Sequence, residues 1–526
     1  MAGSTYYSEL GESDSFRHAP AGLPLDSAGP EELHGMYPAA PNRAANLSYD
    51  QLLEENKRLS LELSRLRLLQ LQEPTGSCKD IVTTIDVERI ERTLFESIPH
   101  RSGPSVQACD PLLFPSRQCS QKIIKYGATW TSWVHYALDQ SKFENEHEAF
   151  WDTLEQGVSL ENQSPIWLSI YFGVLTATLN CMDDADAKAT CPPSDDITAV
   201  LRSWYGAALH YLNKSEYMRH YDIRTVQAIA ILNISFNNFG DDNLYHIMWA
   251  SGIRIAQNIG MGTKDGPVQD FLTSEQSRRL WWTLIICEWQ VLLDTARNDI
   301  IDRDFDTPLP SLPDDQNPNL VSGCDFPDPI FYHIALAKIS SLYHRFRIAL
   351  RAGPSDVAEL VRVSDGLLAE MIDQLPPHLN PDEQKTTQTE ERDEMYPWAS
   401  WQKFDLALTL LAIRLNINRT LQSQWSESSK TLSGQRSISL DCARSIIWIS
   451  SKWQYPTVQR KQWHHSLQLF TAGVTLALEA KKQEIPISSE LKSDVEHCIG
   501  LLNEVESPNA IAHRCVKLLT ELLNGV

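Results

Sequence analysis

The chain has 526 residues, 42% of them hydrophobic, and carries 46 Lys and Arg against 68 Asp and Glu, a formal net charge of −22 at pH 7. That length suits one large domain or two to three average ones, and the apolar share is that of a globular protein. The charge repels phosphate backbones, so the bulk surface is excluded as a DNA-binding face; DNA contact needs a local basic module, and none is visible.

Residues 1–46 are rich in Pro, Gly, Ala and Ser and are expected to be disordered. Residues 47–72 place Tyr49, Asn56 and Leu63 at heptad position a and Leu52, Leu59 and Leu66 at position d. Leucine at d with a lone asparagine at a is the pattern of a parallel two-stranded coiled coil, in which a buried Asn pair sets register at some cost in stability. The dimerisation seam is therefore read as Leu52, Asn56, Leu59, Leu63 and Leu66. The competing reading is a short amphipathic helix packed on its own domain. Residues 73–120 read as a linker broken by Pro74, Gly76, Gly103, Pro104, Pro111 and Pro115, with a short helix at 86–98.

From 121 to 526 the periodicity is helical. Helices are expected at 121–139, 144–157, 165–182, 196–213, 224–238, 242–260, 274–296, 328–351, 355–374, 400–424, 438–453, 459–481, 488–503 and 509–524. Gly260 reads as a helix stop, Pro354 sits in a break after Arg351, and Asp356 and Ser488 read as N-caps. Alternating β-branched runs with hairpin turns are missing from the sequence, so the fold class is all-α: a large multi-helix bundle behind a short coiled coil and a disordered N-terminus. Residues 376–398 are polar and bounded by prolines, hence an exposed loop. The uncharged stretch 162–182 has the length of a marginal membrane span. Its acidic flanks (Glu161, Asp183, Asp184, Asp186) and its lack of basic anchors favour a buried core helix. The helix from 278 to 296 is apolar nearly all round and belongs inside the bundle, where Glu288 would be costly if buried alone.

Chemistry is sparse. The ten cysteines are scattered without a Cys-x-x-Cys pair and read as reduced thiols. The N-terminus has no basic or apolar signal region, so the sequons at Asn46, Asn162, Asn213, Asn233 and Asn418 are expected to go unused. Asp302-x-Asp304-x-Asp306 starts like a calcium loop but has Thr307 and Pro313 where Gly and Glu are required. His147-Glu148 lacks the second histidine of a zincin helix, and His464-His465 reads as packed or surface histidines. Gly260-Met261-Gly262 is a helix stop rather than a dinucleotide loop, and Asp183 to Asp186 a solvated helix-end loop. Neither Gly-x-Ser-x-Gly nor a P-loop is present. On this reading the chain is not an enzyme, and no catalytic, cofactor-binding or metal-binding residue is assigned.

The informative motif is Ser277-Arg278-Arg279-Leu280-Trp281-Trp282-Thr283-Leu284, running on to Asp302-Arg303-Asp304-Phe305-Asp306-Thr307-Pro308-Leu309-Pro310. It resembles the middle homology region of the fungal-specific transcription factors. The aromatic-His stretch at 126–151, the apolar helix at 165–179 and the segment 249–262 (WASGIRIAQNIGMG) are similar to that family's other elements. The best match covers 121–310; the helical tail is compatible and anonymous. Ala296-Arg297-Asn298 stands where Gly-Arg-Pro is common. The resemblance makes 121–526 the regulatory domain, with Arg278, Arg279, Leu280, Trp281, Trp282 and Arg297 as its core motif. It implies a nuclear transcription regulator of a metabolic or biosynthetic pathway, with no membrane role, that meets the transcription machinery. Family members usually carry two Cys-x2-Cys-x6-Cys arms ahead of the coiled coil, whereas here the coiled coil ends before the first cysteine, Cys78. Between Arg17 and Leu47 only Arg43 could serve a basic helix. Three versions stay open: a co-regulator that pairs with itself or a DNA-binding relative, so that DNA contact is indirect; a zinc-cluster activator whose first exon is missing; and a metabolite-sensing helical protein or enzyme with no DNA role.

Overall fold

The computed structural model describes Ile90, Leu94 and residues 112–191, 196–264, 273–290, 305–311, 327–384, 386–422, 425, 433–452, 461–482, 487–505 and 509–524. The expected disordered segment, the coiled coil with Leu52, Asn56, Leu59, Leu63 and Leu66, most of the linker, and Arg297 lie outside the described residues.

The protein is all-α: among the described residues there are seventeen α-helices and no strand. In chain order they are α1 (Arg117–Trp130), α2 (Ser132–His135), α3 (Gln140–Glu155), α4 (Pro165–Asn180), α5 (Asp184–Thr190), α6 (Ile197–Lys214), α7 (Ile223–Phe236), α8 (Asp242–Asn258) and α9 (Ser274–Trp289). There follow α10 (Pro329–Arg351), α11 (Val357–Asp373), α12 (Thr387–Met395), α13 (Pro397–Arg419), α14 (Ser433–Lys452), α15 (Trp463–Ala480), α16 (Ile487–Asn503) and α17 (Ala510–Asn524). Local chemistry sets most starts. Ser116, Asp139, Asp183, Asp196, Asp222, Asp328 and Asp356 each accept a hydrogen bond from a backbone N–H of the first turn. Thr273 and Gln276 form a reciprocal capping box at α9. Gly260 ends α8 with φ 85°, a left-handed conformation that glycine adopts without strain.

Two apolar cores share one helix. The first is built by α1 to α11, centred on α4 and α7, and α7 buries every one of its residues. The second joins α14, α15, α16 and α17 around Phe470, with Leu94 fully buried in it. α13 serves both: Trp401, Leu406, Leu410, Ile413 and Ile417 face the first core, and Phe404, Leu408, Leu411, Ala412 and Leu415 the second. A helix with two apolar faces must be enclosed, and Trp401 through Leu415 is buried almost throughout. α4 is the core helix expected at 162–182, and no described helix is long and apolar enough to cross a membrane.

Four local expectations are corrected. The loop expected at 376–398 holds α12 and a 3-10 turn at Pro377–Leu379. Thr386 and Thr389 cap α12, and Arg392 pairs with Glu383 at 2.6 Å, so a sequence with hardly any apolar side chains is held as helix by caps and charge. Asp183 to Asp186 is not a loop at a helix end. It is the start of α5, where carboxylates meet the positive end of the helix dipole. Ser488 lies inside α16 instead of capping it, and its hydroxyl donates to the Ala480 carbonyl at 2.9 Å. The helix expected at 121–139 begins at Arg117 and breaks at Thr131 and Tyr136, the latter in a left-handed conformation with φ 45°.

Candidate functional site

The Arg-Arg-Leu-Trp-Trp motif occupies the first half of α9. Leu280 and Trp281 are fully buried and Trp282 nearly so. Trp281 and Trp282 hold Phe305 between them, with ring centroids 5.4 and 5.6 Å away, and the Trp282 indole N–H donates to the Pro308 carbonyl at 2.7 Å. The two arginines are not core residues. Arg278 and Arg279 both pair with Glu275, at 2.6 and 3.1 Å. Glu275 also accepts from the Ser311 N–H at 3.0 Å and from its hydroxyl at 2.7 Å. Asp306 accepts from the Lys264 N–H at 2.8 Å, and Thr307 donates to the Met261 carbonyl at 3.0 Å. The segment 305–311 is thus strapped across α9 and the end of α8, and Asp306 takes part as a tie between segments. The Arg279 guanidinium lies over the Tyr136 ring at 5.5 Å, and its backbone carbonyl is 3.1 Å from His333 Nε2. Glu288 is buried on the same helix.

Beside this motif, a cavity of about 140 Å³ opens between α2, α7, α8, α9, α10, α13 and α15. Trp133, Tyr332 and Trp401 form an aromatic wall: the Trp133 ring meets the other two edge-on, at 5.3 and 5.4 Å. Asn233 Oδ1, Asn237 Oδ1 and His333 Nδ1 line the cavity buried and without a hydrogen-bond partner. Such atoms are costly unless something polar meets them. On the α13 and α15 side stands a cluster of Asp405, His464 and His465. Asp405 Oδ1 is 2.8 Å from His464 Nε2 and 3.2 Å from His465 Nε2. Asp405 Oδ2 accepts the Tyr332 hydroxyl, and His465 Nδ1 faces Gln468 Oε1 at 3.1 Å. Burial pushes the Asp405 carboxyl up, but the His464 hydrogen bond, the neighbouring His464 imidazole and the Tyr332 hydroxyl together hold it down at about 2, so the carboxylate is charged inside the protein. Burial pushes Tyr332 well above the usual phenol value, and the Asp405 charge adds to this.

The family model of the fungal specific transcription factor domain matches residues 205–467, half of the chain. The chain belongs to this family. It is similar to the probable transcription factor lepB of Aspergillus flavus, at 20% identity over 84% of this chain and 83% of that protein. It is also similar to the agnestins biosynthesis cluster transcription factor AgnL11 of Paecilomyces divaricatus, at 22% identity over 78% of this chain and 62% of that protein. The protein is a transcription regulator. The matched span of the fungal transcription factor domain starts in α6, contains the α9 motif and ends at the first turns of α15, so it takes in all three residues of the Asp405 cluster.

Of the residues singled out in this fungal transcription factor domain by sequence, Leu280, Trp281 and Trp282 come together in the core, and Arg278 and Arg279 on its rim around Glu275. Sequence reasoning missed Asp405 and Tyr332, and read His464-His465 without them. A signal was available: a single carboxylate in a helix with two apolar faces demands a buried partner. Its partner lies 59 residues away, and nothing local names it.

The buried histidines make a pH prediction. Burial holds His333 at about 3 and His378 at about 4, below the usual 6.5. As pH falls below 6.5 the unfolded chain takes up these protons first. Stability is therefore complete above 6.5 and is lost progressively toward the folded values. Moving from about pH 7.5 to about pH 5.5 is expected to cost about 1 kcal/mol for each of the two groups. Urea midpoints at the two pH values check this; equal midpoints would contradict the buried neutral state.

Proposed function

We propose that the protein is a nuclear regulator of a biosynthetic gene cluster, and that it acts as a dimer or alongside a DNA-binding partner rather than by reading DNA alone. The observation that carries the proposal is the likeness to a biosynthesis cluster transcription factor along most of the chain, through the folded helical body. The charge of −22 supports indirect DNA contact, because a duplex is held by clustered Lys and Arg that release counterions. Leu52, Asn56, Leu59, Leu63 and Leu66 supply the pairing seam in this reading, with the transcription machinery as a further partner and no catalytic step. A second reading, metabolite sensing by the same domain, is favoured by the cavity and by the unpartnered Asn233, Asn237 and His333 atoms that face it.

Deletion of the gene is expected to change transcripts of one contiguous set of biosynthetic genes together; unchanged transcripts would refute the proposal. In a mobility shift at about 150 mM salt the purified chain alone is expected to give no sequence-dependent complex, since weak electrostatic binding is lost there. A competitor-resistant complex would show direct DNA reading and remove the need for a partner.

A further inference from the structure

We infer that Asp405, His464 and His465 form a binding site for one divalent transition metal ion of the zinc class, with an open coordination position facing the cavity. The inference is independent of the transcriptional reading, and it reverses the sequence-level assignment of His464 and His465 as merely packed or surface histidines.

The ligand atoms are already gathered. One carboxylate oxygen and one nitrogen from each ring lie within 4.8 Å of one another. Three donors on a tetrahedral ion at zinc distances stand roughly 3.3 Å apart, and the two carboxylate–imidazole separations here are 2.8 and 3.2 Å. Little movement is needed to admit an ion. The second ring gives the sharper evidence. His465 is buried and its Nδ1 faces Gln468 Oε1 at 3.1 Å. The Gln468 amide nitrogen donates to Thr409 at 3.3 Å, which leaves Oε1 to accept and Nδ1–H to donate. Nε2 of that tautomer is a lone pair, without a hydrogen-bond partner, aimed at a carboxylate oxygen. Two electron-rich atoms facing each other in a buried site repel, and a cation between them turns that repulsion into coordination.

The surroundings fit as well. A ligating histidine normally donates its other N–H to an oxygen, as His465 does to Gln468, and a ligating carboxylate is itself hydrogen-bonded, as Asp405 is by Tyr332. Two imidazoles and one carboxylate suit zinc, cobalt or nickel. Calcium and magnesium ask for more oxygen donors, and copper(I) prefers sulfur. Three protein ligands leave a fourth position, and the cavity lies beside the cluster with room for a water there. The start of α15 presents the positive end of its dipole to His464 and His465, which opposes a cation, but the formal charge of Asp405 outweighs that partial charge.

The test uses the full chain, free of any affinity tag and stripped with a chelator, titrated with cobalt(II) and read by its visible ligand-field absorption. One cobalt per chain is expected, displaced by zinc. Asp405→Asn and His464→Gln should each weaken binding at least about 10-fold, whereas His220→Gln, on an exposed side chain, should leave it unchanged. Zinc should also raise the melting temperature of the wild type in a concentration-dependent way, as any ligand of the folded state does. That measurement decides the matter if Asp405→Asn fails to fold, because it needs no variant. His464→Gln alters a side chain one-third exposed and should fold. The absence of both saturable cobalt binding and a zinc-dependent melting shift would overturn the site. So would unaltered affinity in His464→Gln and Asp405→Asn, which would leave a Tyr332–Asp405–His464 hydrogen-bond network and no metal.

Discussion

Trp281→Ala is expected to destabilise the helical body by about 3–5 kcal/mol, the range for emptying a fully buried large aromatic site. The ring has no solvent exposure and meets Phe305 edge-on. Its far edge lies so close to Gly262 that a Cβ there would come within 3.2 Å of it. The cavity left behind cannot collapse easily, because α9 is pinned on both sides: Trp282 bonds to Pro308, and Thr283 donates to the His135 carbonyl at 2.7 Å. Trp282→Phe keeps most of the packing, loses the bond to Pro308 and should cost about 1 kcal/mol. Met395→Ala, on a residue 68% exposed, is the control and should change stability by less than about 0.5 kcal/mol. Denaturant midpoints of the three variants decide the order. A Trp281→Ala midpoint equal to that of the control would mean that the motif faces a partner instead of the core.

Glu275→Ala is expected to cost about 2–4 kcal/mol, since charge-assisted bonds contribute about 1.5–3 kcal/mol each and are not additive. Only 16% of the carboxylate side chain is exposed, and it gathers Arg278, Arg279 and both donors of Ser311. Its removal deprives both guanidinium groups of their shared carboxylate and frees the strap at 305–311. Glu275→Gln preserves shape and should recover part of the loss, because an amide oxygen can still accept from Ser311. Limited proteolysis gives a second readout: cleavage near residues 305–311 should be faster in Glu275→Ala than in Trp282→Phe. Equal protection in the two variants would place the tie elsewhere.

The motif's arginines show how a family pattern is legible before its chemistry is. Their place at the head of an apolar helix marked the segment, and the structure sets them on its rim, apart from the buried tryptophans. Two residues after a capping box stand at the surface end of the helix, within reach of Glu275 three and four positions back. The loop expected at 376–398 failed for a different reason. Apolar periodicity is silent for a helix that buries none of its residues, and α12 is held by its caps and by the pairing of Arg392 with Glu383. The coiled-coil seam and Arg297 lie outside the described residues.

The all-α class, the burial of the apolar helices α4 and α9, and membership of the fungal transcription factor family were determined by the sequence itself. Those properties rest on apolar spacing, capping residues and a run of adjacent motif residues, all of which act within a turn or two of the chain. Only the tertiary structure decided that α13 divides two cores, that Glu275 ties down Ser311 across 36 residues, and that Asp405 meets His464 and His465 beside a cavity. Each of those results depends on which helix faces pack together. A helix states its own periodicity but not its neighbour, so a carboxylate and two imidazoles 59 and 60 residues apart become one site only when α13 and α15 are brought side by side.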